Sequence, residues 1–130
     1  MDLFTYGTLM FAEVWQRIGI EQPTGQPATL PGYAIYRIRD ALIPGIIHTS
    51  PRDHVRGVLY QGLDATTLEE LDVYESDLYQ RAIVQVRRLD SSLIECQTYV
   101  IPLVNRTVLS REIWDADWFQ QHALAQYLEG

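Results

Sequence analysis

The sequence predicts an α+β fold: a small, mainly antiparallel sheet of about six strands that curls or closes on itself, flanked by short helices. Three observations carry this. Beyond the first helix, apolar segments of strand length follow one another across short loops, which favours antiparallel neighbours. Two of them, "YQRAIVQVRRL" and "SLIECQTYVI", alternate in polarity around a "DSS" turn and read as a hairpin. Helical spacing, by contrast, is confined to three short stretches.

The elements follow in order. "LFTY" is a short strand and "GTLM" a turn. "FAEVWQRIG" forms a short helix ending at Gly19, with Leu9, Val14 and Ile18 as its inner face. "EQPTGQP" has the composition of a loop. "ATLPGYAIYRI" is extended and broken at Pro31-Gly32, and "LIPGIIHT" is a strand interrupted by Pro44-Gly45. "HVRGVLYQGL" is a further strand. Asp64 caps the helix "ATTLEELDVYE". In the hairpin, Ala82, Val84 and Val86 share one side, with Arg81, Gln85 and Arg87 opposite; Ile94, Cys96 and Val100 share a face of the second strand. Asp115 caps a last helix, "ADWFQQHALAQYL".

The totals bound the function. A chain of 130 residues, 47% hydrophobic and 21% charged, suits a single domain, residues 1–130, around one core. The net charge of -7 repels phosphate backbones, and no basic block exceeds Arg87-Arg88, so no nucleic-acid partner is expected. The single cysteine, Cys96, excludes an internal disulfide and suits a reducing compartment. "MDLFTYGTLM" lacks a basic region before an apolar run, and no apolar segment has the length of a membrane span. A cytoplasmic protein without a membrane partner is expected. No Walker loop or dinucleotide glycine pattern calls for a cofactor, and His48, His54 and His122 have no metal-ligand spacing.

The chemistry concentrates in three places. In "LEELDVYESDLYQR", Leu68, Leu71 and Glu75 stand at i, i+3 and i+7 and share a helix face. That face points inward, so a carboxylate travels with the leucines. Burial raises its pKa, and the negative end of the helix acts in the same direction. A general acid or base results; the structural alternative is an ion pair with Arg81. "TYGTL" ends a strand in a glycine turn whose N–H groups can converge on an anion or oxyanion; the alternative is a plain turn. In "LIPGII", Pro44-Gly45 permits close approach of a ligand or a neighbouring backbone, or serves as an edge-strand device. Cys96 falls on an apolar face and reads as core. Trp114 and Trp118, at i and i+4, read as packing with Phe119. Of the tyrosines Tyr33, Tyr36, Tyr60, Tyr74, Tyr79 and Tyr99, some are expected to line a pocket.

Together, "FTYGTLM", "LPGYAIY", "IPGI", "VRGVLY" and "LDVYESDLYQR", in that order, resemble the gamma-glutamylcyclotransferase-like family. The resemblance covers most of the chain up to about Tyr99 and rests above all on the YGTL loop and the E-x-x-x-Y-x-R element. It implies a small mixed barrel flanked by helices. It also implies an activity without cofactor: cyclisation of a γ-glutamyl amine or amino acid to 5-oxoproline with release of the free amine. By that likeness Glu75 is the catalytic residue, Tyr6, Gly7, Thr8 and Leu9 hold the glutamyl group, Pro44 and Gly45 adjoin it, and Tyr79 walls the pocket. Two positions depart from the usual pattern: Ile43 replaces an aromatic residue and Ser76 replaces a glycine. Two other readings compete. One is a binding module for a small amide or peptide end, against which an inward Glu75 speaks. The other is a hydrolase using Asp72 and Glu75 as an acid pair, although paired glycosidase carboxylates flank a bond from two sides.

Overall fold

The computed structural model describes residues 1–130. Strand β1 (Leu3–Thr5) enters an antiparallel pairing with β5 (His54–Tyr60) and a parallel one with β7 (Leu93–Val100). With β2 (Gly25–Pro31) and β6 (Gln80–Arg88) these close a mixed barrel in the order β1-β5-β2-β6-β7. Strands β3 (Tyr33–Arg37) and β4 (Pro44–His48) form a separate two-stranded sheet, making seven strands in all.

The period-2 pattern explains what fills the barrel. Alternate residues of each strand meet in one apolar cluster: Phe4 from β1, Ala28 and Leu30 from β2, Val55 and Leu59 from β5, Val84 and Val86 from β6, and Cys96 from β7. The opposite faces of β1 and β5, at Leu3 and Tyr60, pack instead against helices. There Trp15 and Val14 of α1 (Ala12–Ile18), Leu68 and Leu71 of α2 (Ala65–Glu75), Phe119 of α3 (Ala116–His122) and Leu124 of α4 (Leu124–Glu129) build a second core. A smaller cluster, Ile38, Ile47, Ile101 and Leu109, supports the two-stranded sheet.

Local chemistry sets the helix ends. Asp64 accepts the Thr67 N–H, and Asp115 accepts those of Asp117 and Trp118, as expected of N-caps. Helix α1 stops at Gly19, at φ +81°. Four details differ from the sequence expectation. Gly25, Gln26 and Pro27 are strand, not loop, because the β2–β5 ladder runs on to Gly25 opposite Tyr60. The last helix divides at Ala123, whose backbone (φ -130°, ψ -21°) leaves helical geometry. Residues Leu103–Val108 form a 3₁₀ segment. Trp118 is 43% exposed and lies under Arg37 rather than in the core, whereas Trp114 is buried. No helix is long and apolar enough to cross a membrane.

Candidate active site

The chain leaves β1 at Thr5 and turns at Gly7 into one 3₁₀ turn, Thr8–Met10. The carbonyl of Leu9 anchors this turn by accepting from Trp15 Nε1 at 2.7 Å and from Tyr60 Oη at 2.9 Å. Tyr6 Oη donates to the Tyr99 carbonyl at 2.6 Å. The backbone N–H groups of Tyr6, Gly7, Thr8 and Leu9 donate to no acceptor within the protein. Four consecutive donors are thus left for something else, the property expected of an anion nest. Glycine is needed in this turn because a Cβ at Gly7 would stand 2.9 Å from Pro44 Cγ.

Glu75 is the last residue of α2, and Ser76 follows at φ +71°, ψ -179°. That backbone region belongs essentially to glycine, so the serine found there sits under strain. Glu75 and the turn line the same cavity of about 120 Å³, together with Pro44, Ile43, Tyr74, Tyr79, Tyr99 and Tyr127. Its walls are braced by hydroxyls. Tyr79 Oη donates to the Pro44 carbonyl at 2.6 Å. Thr8 Oγ1 and Tyr74 Oη are hydrogen-bonded at 2.7 Å, and Tyr74 is in turn bonded to Tyr127.

Glu75 is the one ionisable carboxyl of this lining, and no cationic side chain joins it. Arg81 does not neutralise it: Arg81 pairs with Asp72 at 3.5 Å. Burial pushes the Glu75 carboxyl up to about 8, and the Asp72 carboxylate adds to the effect. Burial likewise holds the hydroxyls of Tyr6, Tyr74, Tyr79 and Tyr99 above their ordinary range, so they remain neutral donors. Cys96 lies in the barrel interior, where burial pushes its thiol up to about 12; it is not a nucleophile. Asp72 is absent from the cavity lining and is held by Tyr99 Oη at 2.7 Å as well as by Arg81. That removes the acid-pair reading.

Of the residues singled out in the sequence, Tyr6, Gly7, Thr8, Leu9, Pro44, Glu75 and Tyr79 come together around the cavity. Gly45 does not line it. Its Cα packs under the third cluster, where a Cβ would lie 2.6 Å from Ile101 Cγ1 and 3.0 Å from Leu109 Cδ2. The close approach foreseen at Gly45 is therefore to core side chains. Tyr127 carries no sequence signal: it is a lone tyrosine on a short terminal helix.

The fold is thus a small mixed barrel with a cavity on its flank, and that cavity holds one carboxyl beside a run of free N–H donors. The chain matches the family model described as gamma-glutamyl cyclotransferase, AIG2-like, over residues 3–120, and it belongs to that family. It is 32% identical over 106 residues to AIG2-like protein B of Arabidopsis thaliana, covering 81% of this chain but only 60% of that relative. A second Arabidopsis thaliana protein, known from a solution structure, superposes with a TM-score of 0.76 at 26% identity, over 98% of this chain and 77% of the other. A yeast gamma-glutamyl cyclotransferase specific to glutathione shares the fold, with a TM-score of 0.63 at 14% identity over 86% of this chain and 73% of that one.

Proposed function

We propose that the protein is an enzyme that cyclises the γ-glutamyl group of a γ-glutamyl amine or amino acid to 5-oxoproline and releases the free amine. The observation that carries this reading is the pairing, in one cavity, of an unpaired carboxyl of raised proton affinity with four free backbone donors. Family membership supports it.

The reaction needs no nucleophile from the enzyme, because the substrate's α-amine attacks its own γ-carbonyl. The attack is intramolecular from the start, so the enzyme's part is to hold the substrate in its ring-closing conformer with the reacting atoms in near-attack geometry. Glu75, as carboxylate, takes a proton from the attacking α-ammonium. The new C–N bond closes a five-membered ring and leaves negative charge on the former carbonyl oxygen. N–H groups of the Tyr6–Leu9 turn receive substrate oxygens, the tetrahedral oxyanion among them. Glu75, now protonated, returns its proton to the departing nitrogen, the original C–N bond breaks, and the regenerated carboxylate passes the second proton of the new ring nitrogen to the amine, which leaves as the ammonium. A group that must act as base and then acid works best when its pKa lies near the working pH, which is where burial places Glu75.

The test is 5-oxoproline release from a panel of γ-glutamyl compounds by wild type and Glu75→Gln. Turnover that falls about 10²- to 10⁴-fold in the variant is the expected result. Full turnover by Glu75→Gln would refute the proton shuttle, and silence from wild type on every compound would favour a binding module instead.

A further inference from the structure

Asp72 stands one turn before Glu75 on α2, and two contacts fix its side chain from outside the cavity. Tyr99 Oη donates to Oδ1 at 2.7 Å, Arg81 lies 3.5 Å from Oδ2, and α2 itself sets the i, i+3 spacing to Glu75. Tyr99 spans both sides. The residue lines the cavity, its carbonyl accepts from Tyr6 of the donor turn, and its hydroxyl holds Asp72. Arg81 and Asp72 lie together in a separate shallow trough that shares Ser76, Tyr79 and Tyr99 with the cavity wall.

We infer that Asp72 is the positioning residue for Glu75, with Tyr99 as its clamp and Arg81 as the counter-charge that moderates it. The inference rests on Glu75 as the proton shuttle. The groups around Glu75 leave little else to act. Tyr6 from the β1 turn, Tyr74 from α2, Tyr79 ahead of β6 and Tyr99 from β7 are held neutral by burial, and Tyr127 from α4 contributes a hydroxyl to the Tyr74 pair. Asp77, past Ser76, is exposed. Asp72 and Arg81 are therefore the charges whose balance Glu75 senses, and they act with opposite signs. The Asp72 carboxylate disfavours a second negative charge one turn away, and Arg81 offsets part of that repulsion.

A merely structural role predicts no such opposition, and that separates the two. The site-specific titration of the Glu75 side-chain carboxyl by ¹³C NMR, assigned by its loss in Glu75→Gln, reads the effect without any need for turnover. In Asp72→Asn the midpoint falls; in Arg81→Gln it rises; each change is about threefold to tenfold in proton affinity, or half to one pH unit. Arg81→Lys keeps the charge and stays near wild type. Where 5-oxoproline is released, the acid limb of kcat/KM moves with the same signs. Midpoints that stay fixed, or that move the same way in both variants, overturn the inference. If Arg81→Gln does not fold, Asp72→Asn decides alone: an unchanged midpoint overturns it. A protein that releases no 5-oxoproline still titrates, so failure of the enzyme reading and failure of this one give different records.

Discussion

Inside the barrel, Leu30, Val55, Leu59, Val84 and Val86 are buried against one another and no charged side chain enters. On its flank, a cavity partly open to solvent is lined by Tyr6, Tyr74, Tyr79, Tyr99 and Tyr127 around a single carboxyl. The barrel interior is filled by its own side chains, as small barrels are, and of its cluster only Phe4 and Tyr6 also reach the cavity wall. The cavity gathers the ends of elements instead: the turn after β1, the last residue of α2, the first of β4 and the far part of β7. The interior supplies the frame, and the flank, where regular pairing runs out, supplies free donors and an unpaired acid.

Substitutions can test that division of labour. The largest effect on turnover is the loss already expected of Glu75→Gln, which should leave the frame folded. The largest effect on stability should come from Leu59→Ala, a cavity mutation at a fully buried site, at about 2–5 kcal/mol by chemical denaturation. Its kcat per folded molecule should stay close to wild type; a collapse of kcat would mean that the interior tunes the site directly.

Another effect links stability to pH. The Glu75 pKa is raised on folding from an ordinary 4.5 to about 8, so the folded state binds its proton more tightly than the unfolded chain. The stability this brings is fully present below about pH 4.5 and is lost as pH rises towards 8. Glu75→Gln does not titrate. Its Tm relative to wild type should therefore climb between those values and level off above them, and a constant difference would show that the carboxyl is not held protonated. Smallest is Ser76→Gly. Relief of the φ +71° strain, less the entropy of a freer unfolded chain, should leave a gain of about 1 kcal/mol in thermal unfolding. A loss would mean that the serine side chain contributes more at this helix end than its backbone costs.

The frame was legible where one rule decided the outcome. Alternation placed Val84, Val86 and Cys96 inside, and Asp64 and Asp115 announced their helices. It was illegible where tertiary pairing overrode composition: Gly25, Gln26 and Pro27 have the chemistry of a loop but lie on the β5 ladder. The break at Ala123 has no proline or glycine to mark it. In the cavity, Glu75 was visible because a charge in line with leucines is an anomaly, and Gly7 and Pro44 because they interrupt apolar strands. Tyr127 and the Asp72–Arg81 pair were not. The one is an ordinary residue made important by where α4 docks, and the other required knowing which of two acids β6 would bring an arginine beside.

The wall that Tyr127 adds also sets an order of assembly. The last barrel strand ends at Val100, whereas the cavity joins Tyr6 to Tyr127, nearly the whole described chain apart. During synthesis the N-terminal parts emerge first, so every strand of the barrel is made before the residue that braces Tyr74. The cavity lacks a side until α4 is in place. The strands of the barrel are thus all made before the cavity's last wall, and a nascent chain cut short in α4 before Tyr127 would lack that wall.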